Sequence, residues 1–109
     1  MAEFQVELTP EAREDLRALK KRSKKAWQTA EDLIDETARN PDAGKELEDE
    51  WAGARGIRFE KATYRLIWEV DYKQELVIVL RVGKKLRRSG TIYELPRPTT
   101  KGWPPDTRG

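Results

Sequence analysis

Residues 64–80, YRLIWEVDYKQELVIVL, decide the fold class of this 109-residue chain. Apolar and aromatic side chains fill every second position of the first half, at Tyr64, Leu66, Trp68 and Val70. This period of two predicts a strand with one buried face. Residues 71–74 are suited to a turn, and residues 76–80 form an unbroken apolar run. Such a run predicts a strand covered on both faces, and therefore central in its sheet.

Two amphipathic helices are predicted upstream of these strands. Thr9 is suited to cap a helix that begins at Pro10, continues to about residue 20 and carries one apolar stripe. Ser23 can cap a second helix, which ends at Asn40 because a residue before proline is disfavoured in the helical region. The short connection between the two favours an antiparallel helical hairpin.

Two further strands and a loop complete the pattern. Alternating apolar residues predict a short first strand at residues 4–8 and another beginning at Ile57. Residues 41–55 are polar and acidic and are predicted to form a loop, which Leu47 and Trp51 could attach to the body.

The order strand, helix, helix, three antiparallel strands predicts an α+β domain, β-α-α-β-β-β, with two antiparallel helices packed on a small, mainly antiparallel sheet. We expect one domain over residues 1–95 and an irregular, Pro/Gly-rich tail over residues 96–109. The sheet face opposite the helices is expected to be exposed or concave, and function is to be sought there. Its candidate residues are Arg58, Arg65, Ile67 and Glu69.

Composition excludes several kinds of chemistry. The chain has no cysteine and no histidine, so disulfides, thiolate catalysis, zinc sites of the usual kind and histidine acid–base catalysis are excluded. No apolar run approaches the length of a membrane span, and the start lacks the features of a signal peptide. We therefore expect a cytoplasmic protein with no membrane partner and no cofactor.

Charge is distributed unevenly along the chain. The net charge is +2, but residues 1–50 sum to −5 and residues 51–109 to +7. A basic second half suggests a face that attracts polyanions, although solvated faces can also segregate in this way. The candidates for a polyanion site are Arg55, Arg58, Lys61, Arg65, Arg81, Lys84, Lys85, Arg87 and Arg88, since arginine and lysine both suit phosphate.

Three other groups have a functional and a structural interpretation. Tyr64, Trp68 and Tyr93 could stack on bases, but the alternation favours a core position for the first two. The basic run from Arg17 to Lys25 could touch RNA, or it could be the solvated end of the helical hairpin. An acidic cluster could bind magnesium, but a flexible loop offers no fixed geometry; its members are Glu46, Glu48, Asp49 and Glu50.

Three motifs in this order resemble the RelE/ParE superfamily of bacterial type II toxins. They are FQVELTPEA at residues 4–12, YRLIWEV at residues 64–70, and VGKK at residues 82–85 with a tyrosine shortly after. The resemblance covers roughly residues 3–94. VGKK is closer to the branch of ribosome-dependent messenger-RNA endonucleases than to the gyrase poisons.

The resemblance implies a metal-independent reaction in which a ribose 2′-hydroxyl attacks the adjacent phosphate. Arg65 and Lys85 would stabilise the scissile phosphate, Arg58 would position RNA, and Tyr93 would transfer a proton or stack on a base. The other basic residues would bind RNA: Arg55, Lys61, Arg81, Lys84, Arg87 and Arg88.

The partners implied are the ribosome, messenger RNA and a cognate antitoxin in a toxin–antitoxin hetero-oligomer. Two alternatives remain open at this point: a ParE-like toxin that inhibits gyrase, and a binding module without catalytic activity.

Overall fold

The structure is a computed structural model that describes residues 3–84 and 97–100. In chain order it contains β1 (Gln5–Leu8), α1 (Pro10–Arg22), α2 (Lys24–Arg39), β2 (Lys45–Glu46), a short 3-10 helix (Asp49–Trp51), β3 (Ala54–Phe59), β4 (Tyr64–Asp71) and β5 (Leu76–Lys84). The predicted α+β class and its order of elements are therefore confirmed. The interval 41–55 is not a plain loop, because it holds β2, the 3-10 helix and the start of β3.

The helices begin and end where the capping residues predict. Thr9 is the N-cap of α1, and its hydroxyl accepts a hydrogen bond from the Ala12 backbone N–H at 3.0 Å. Ser23 caps α2 in the same way, with the Ala26 N–H at 3.1 Å, and α2 ends at its C-cap Asn40. Both caps satisfy backbone donors that a helix leaves unpaired at its first turn.

The five strands form one sheet in the order β1-β5-β4-β3-β2. The pair of β1 and β5 is parallel, with Gln5 opposite Leu76, and the other pairs are antiparallel. β5 thus lies inside the sheet, as its unbroken apolar run predicts. A register shift beside Ile67 pairs Trp68 with Val79 and Ile67 with Arg81, which leaves Leu80 as the extra residue of a bulge.

Each face of the sheet carries its own apolar cluster. The face toward the helices packs Leu66, Trp68, Val77 and Val79 against the stripes of α1 and α2. The opposite face has a second cluster around Ile67, Ile78 and Leu80, which Trp51 and Leu47 cover. Ile67 is 0% exposed, so the expectation of an open face is wrong at its centre. The reason is that the segment 44–51 folds back over it.

α1 protects the part of β5 that extends beyond β1. Thr9 donates its hydroxyl to the Leu80 carbonyl at 2.9 Å. Asp15 accepts from the Val82 N–H at 3.0 Å and forms an ion pair with Arg81 at 2.9 Å. These contacts pair the backbone groups of a strand that would otherwise have an open edge. Within the described ranges, no helix has the length and apolar character that crossing a membrane requires.

Candidate functional site

A groove of about 690 Å³ lies on the sheet face opposite the helices. One wall is formed by residues 44–51, called the strap below, and the other by β3 and β4. Its described lining residues include Arg58 and Arg65, Gly56 and Ile57, and strap residues from Gly44 to Trp51. The groove lies beside the buried cluster around Ile67, with which it shares Leu47 and Trp51.

Arg58 and Arg65 are opposite each other in the register of β3 and β4. Directly paired residues of antiparallel strands share a face, so both arginines stand on the groove side. Arg65 is 5% exposed and its guanidinium donates to the Ala62 carbonyl at 3.2 Å, whereas Arg58 is exposed. On the other side of Arg65 its partner in β5 is Gly83, which adds no side chain above it.

The turn between β3 and β4 holds this end of the groove in an unusual backbone conformation. Glu60, Lys61 and Ala62 all have positive φ, between 53° and 68°. Three consecutive non-glycine residues in the left-handed region are energetically costly, so surrounding contacts must maintain them. The Glu60 carboxylate accepts from the Thr29 hydroxyl of α2 at 2.9 Å, and Arg65 binds the Ala62 carbonyl. Lys61 is thereby presented to solvent.

Two other residues predicted to bind phosphate, Arg55 and Arg81, form hydrogen bonds within the protein instead. Arg55 donates to the carbonyls of Ala43 at 2.9 Å and Gly44 at 3.3 Å, and so attaches the strap to β3. The carboxylate of Asp15 binds Arg81 through two nitrogens, at 2.9 and 3.0 Å. This hydrogen bonding raises the pKa of the Arg81 guanidinium above its usual value. Arg81 is therefore held by α1, away from the lining of the groove.

The remaining predicted site residues are not described in full. Lys84 ends β5 opposite Tyr64, and only its backbone position is described. Lys85, Arg87, Arg88 and Tyr93 lie outside the described residues. Their assignment to catalysis or phosphate binding stays a prediction.

The two aromatic residues of β4 belong to the core, as their alternation favours. Trp68 is 0% exposed, and its indole N–H donates to the Pro41 carbonyl at 3.0 Å. Tyr64 is 8% exposed and stacks on Phe59 with ring centroids 5.5 Å apart. Neither ring can act as a platform for a base without unfolding of the sheet.

The strap brings carboxylates into the groove, which the sequence analysis did not foresee. The residues that line the groove together with Arg58 and Arg65 include Glu46, Glu48, Asp49 and Glu50. The groove lining therefore offers both positive charge for an anion and carboxylates that can accept a proton. In the described ranges, no three metal-ligating side chains converge in a way that could hold an ion.

Segment 97–100 contacts the end of the strap through hydrogen bonds from Arg97. Arg97 donates to the backbone carbonyls of Glu50 at 2.8 Å and Ala52 at 3.0 Å, and pairs with Glu69 at 2.5 Å. Its guanidinium carbon lies 5.7 Å from the centre of the Trp51 ring. The sequence contains no signal for this contact, because Arg97 stands in a proline-rich stretch far from its partners.

Glycine permits the close approach of the strap to the sheet. Gly44 has φ of +75°, and a Cβ there would lie 2.5 Å from the Gly56 carbonyl oxygen. A side chain at this position would therefore collide with the backbone of β3. The strap can begin in this place only with glycine.

Comparison with known proteins assigns the family. A family model described as "ParE toxin of type II toxin-antitoxin system, parDE" matches residues 6–88. No curated protein sequence is similar enough to this chain to count as a relative.

Solved structures agree with this match. The chain is similar to the RelBE2 toxin–antitoxin complex of Mycobacterium tuberculosis, with 29% identity over 77% of this chain and 93% of the other, and a TM-score of 0.65. It is also similar in fold to the isolated RelE toxin of E. coli, with 20% identity over 79% of this chain and 88% of the other, and a TM-score of 0.64. It is similar in fold to the chromosomal ParDE system of P. aeruginosa as well, with 20% identity over 74% of this chain and 95% of the other, and a TM-score of 0.53. This chain therefore belongs to the RelE/ParE family of type II toxin–antitoxin toxins.

Proposed function

We propose that this toxin inhibits translation by cutting messenger RNA on the ribosome, through attack of a ribose 2′-hydroxyl on the adjacent phosphate. The observation that carries the proposal is the register pair of Arg58 and Arg65 on one side of the groove. Two guanidinium groups on neighbouring strands offer the positive charge that a phosphate needs as it gains negative charge in the transition state. The attack needs no metal, because charge stabilisation and proton transfer are sufficient.

The two arginines have different roles in this proposal. Arg65 is buried and held by the Ala62 carbonyl, so it is preorganised, and we assign it to the oxygens that gain charge in the transition state. Arg58 is exposed and is assigned to positioning the RNA strand. Lys85 and Tyr93 complete the proposed catalytic set, with Lys85 at the phosphate and Tyr93 in proton transfer or base stacking.

The strap carries carboxylates that can accept a proton, which the two arginines cannot do. A 2′-hydroxyl must lose its proton as it attacks, and the chain has no histidine to accept it. A strap carboxylate facing the groove can take this proton, and the candidates are Glu46, Glu48, Asp49 and Glu50. The same carboxylates repel phosphate, so we propose that only the strand end beside Arg58 and Arg65 holds the backbone tightly.

A cognate antitoxin is the proposed protein partner. Several similar structures were solved as toxin–antitoxin complexes, including RelBE2 of M. tuberculosis and the RelBE complex of E. coli. An antitoxin segment that lies across the groove would exclude RNA from the arginine pair. The proposed assembly is a toxin–antitoxin hetero-oligomer in the cytoplasm.

A second candidate function is inhibition of gyrase. The observation that favours it is the family model itself, which is that of the ParE toxin. The carboxylates along the strap also make the groove less favourable for a polyanion.

Expression of the chain without a partner separates the two candidates. If it cuts messenger RNA, incorporation of labelled methionine stops first while DNA synthesis continues. Purified toxin then cleaves a reporter messenger RNA only when ribosomes are present, leaving a cyclic phosphate and a free 5′-hydroxyl. Arrest of DNA synthesis with protein synthesis intact would favour the gyrase function instead, and absence of arrest would favour a binding module without catalytic activity.

A further inference from the structure

Arg97 connects two parts of the chain beside the groove. Its guanidinium donates to the Glu50 carbonyl at 2.8 Å, to the Ala52 carbonyl at 3.0 Å and to one oxygen of the Glu69 carboxylate at 2.5 Å. The Thr100 hydroxyl donates to the other oxygen of that carboxylate at 2.8 Å. The side chains of Arg97 and Glu69 are only 26% and 21% exposed. These contacts of Arg97 and Thr100 are called the clasp below.

The clasp acts on the part of the strap that carries two of the groove carboxylates. The carbonyls that Arg97 binds lie on either side of Trp51, the last residue of the 3-10 helix. Asp49 and Glu50 of this helix belong to the groove lining. Asp49 has φ of 58°, a conformation that a non-glycine residue keeps only where surrounding contacts maintain it. A contact that fixes this short helix therefore also fixes where its two carboxylates lie.

Arg65 and the clasp are attached to the same strand. Arg65, Ile67 and Glu69 alternate along β4, so they share the sheet face that the strap covers. Arg65 and Glu69 are four residues apart, about 13 Å along the strand. β4 pairs with β3 on one side and with β5 on the other, which makes it a rigid support. Through Glu69, the clasp therefore joins the 3-10 helix to the strand that presents Arg65.

We infer that Arg97 is a positioning residue for the proposed cleavage, because it holds the carboxylates of Asp49 and Glu50 in place relative to Arg65. This inference rests on the proposed function, in which a strap carboxylate accepts the proton of the attacking 2′-hydroxyl. In the part of the chain that the structure describes, Arg97 is not among the residues that line the groove. It therefore acts through the 3-10 helix and not by contact with the RNA.

The reaction step concerned is removal of the 2′-proton. The 2′-oxygen forms its bond to phosphorus while its proton passes to the carboxylate. The bond between phosphorus and the 5′-oxygen breaks, and the 5′-oxygen takes up a proton from solvent or from Tyr93. A displacement of the base by about 1 Å lowers the rate on the order of 100-fold. Loss of the clasp therefore slows the chemical step, whereas Arg58 and Arg65 continue to bind the RNA.

Four variants separate positioning from charge and from stability. Arg97→Ala removes the clasp, and Arg97→Lys keeps a donor for one carbonyl and for Glu69. Glu69→Gln removes the charge of Glu69 but leaves Arg97 bound to both carbonyls. Ile34→Val lowers stability in the core on the opposite face of the sheet, and so controls for stability alone. Ribosome-dependent cleavage of a reporter messenger RNA, measured well below the melting temperature of every variant, gives kcat and KM.

The expected loss is confined to variants in which the carbonyls are released. Arg97→Ala should lower kcat at least tenfold and change KM by less than about threefold. Arg97→Lys should recover part of this loss. Glu69→Gln and Ile34→Val should keep kcat within about threefold of wild type. The double variant Arg97→Ala/Glu69→Gln has no uncompensated carboxylate at this place, and it should retain the low kcat of Arg97→Ala.

A double-mutant cycle identifies the groups through which Arg97 acts. Asp49→Asn/Glu50→Gln removes both carboxylates of the 3-10 helix and should lower kcat by about 100-fold. Addition of Arg97→Ala to this variant should lower kcat by less than a further factor of about three, because the base that Arg97 positions is already absent.

Several results would overturn the inference. They are wild-type kcat in Arg97→Ala, an equal loss in Ile34→Val, wild-type kcat in Asp49→Asn/Glu50→Gln, and independent losses in the cycle. A loss in Glu69→Gln as large as that in Arg97→Ala would assign the effect to the charge of Glu69 instead of to the position of the strap.

Failure of the proposed function is separately visible. Wild-type protein would then leave messenger RNA intact on ribosomes, and no variant would be needed to show it. If the function holds and the inference fails, wild type and Arg97→Ala cleave with the same kcat, while Arg58→Ala still loses cleavage.

Discussion

Arg58 and Arg65 face the same groove from very different surroundings. Arg65 is 5% exposed and bonded to the Ala62 carbonyl, so its guanidinium arrives at the groove with little freedom left to lose. Arg58 is exposed, and its side chain must be ordered when a ligand binds. A buried, hydrogen-bonded cation costs stability when it is removed, whereas an exposed one does not. The two residues can therefore be separated by experiment.

Substitution of Arg58 and Arg65 tests the roles proposed for these two residues. Arg58→Ala and Arg65→Gln are each expected to reduce ribosome-dependent cleavage by two to three decades, about 3–4 kcal/mol of transition-state stabilisation. Arg58→Ala should leave the free energy of unfolding within about 0.5 kcal/mol of wild type, whereas Arg65→Gln should lower it by about 1–3 kcal/mol. Single-turnover cleavage and urea unfolding measure the two effects. Full activity in a folded Arg65→Gln protein would remove this residue from the site.

At the scale of elements, the strap decides what kind of groove the sheet presents. It covers the apolar cluster around Ile67 through Trp51 and Leu47, and it leaves the arginine end accessible. Its attachments to β3 are the two-residue pairing of β2, the Leu47 N–H bonded to the Ala54 carbonyl at 2.9 Å, and the Arg55 side chain bonded to the Gly44 carbonyl at 3.3 Å. Arg97 supplies the additional attachment, because it binds two strap-side carbonyls and Glu69 together.

Removal of this attachment should loosen the strap. Arg97→Ala is expected to lower the free energy of unfolding by about 2 kcal/mol, since it deletes charged hydrogen bonds and leaves the partly buried Glu69 carboxylate with the Thr100 hydroxyl but without its cation. Amide hydrogen exchange over residues 47–54 should accelerate more than exchange in β4. The control is Arg39→Ala, whose ion pairs are exposed and should not affect either measurement. Uniform acceleration across the sheet would contradict a local role for Arg97.

The acidic side of α2 gives a pH-dependent prediction at the same scale. Burial, and then the charges of Asp35 and Asp32, raise the pKa of the Glu31 carboxyl. A carboxyl whose folded pKa is raised binds more protons in the folded state, so its ionisation destabilises the fold as pH rises through that pKa. Glu31→Gln should therefore be slightly more stable than wild type at pH 7, and the gain should be small because solvent screens this partly exposed carboxyl. The stability difference between Glu31→Gln and wild type should shrink as pH falls toward about 4. Thermal melts of both proteins between pH 7 and about 4 measure it, and a difference that grows at low pH would contradict the prediction.

At the scale of the whole molecule, the strands β1 and β5 stabilise each other although they lie far apart in the sequence. β1 pairs in parallel with β5, although 71 positions separate Gln5 from its partner Leu76. Thr9 joins the same two regions, because its buried hydroxyl accepts from Ala12 and donates to the Leu80 carbonyl. Because these contacts and a shared apolar cluster join the helices to the sheet, we expect the helical hairpin and the sheet to unfold as one unit.

Substitution of Thr9 tests the coupling between the helical hairpin and the sheet. Thr9→Val preserves shape but leaves a buried N–H and a buried carbonyl without their partner, which should cost about 2–3 kcal/mol. Thr9→Ser keeps both hydrogen bonds and should cost about 1 kcal/mol, the value of a buried methyl group. Urea unfolding followed by circular dichroism and by tryptophan fluorescence should give coincident transitions for both variants. Separate transitions would mean that the hairpin and the sheet are independent.

Local sequence signals predict the two helices and the longer strands, but not β2 or the 3-10 helix in the interval 41–55. Period-two alternation from Tyr64 to Val70 identified a strand and its buried face, and the caps Thr9 and Ser23 located both helices. The sequence by itself also determined the available chemistry, since a chain without histidine and cysteine must rely on arginine, lysine, tyrosine and carboxylates.

Contacts between residues far apart in the chain depend on how the whole chain packs. Nothing local predicts that residues 44–51 fold over Ile67, that Arg97 binds Glu69, or that Asp15 rather than a ligand binds Arg81. These contacts join segments whose pairing depends on strand register and on the space left by Gly44 and Gly56. The basic residues that looked alike in the sequence therefore separate into a groove pair, a strap attachment and an ion pair with α1. The physical reason is that charge and residue type are local properties, whereas burial and partner are set by the packing of the whole chain.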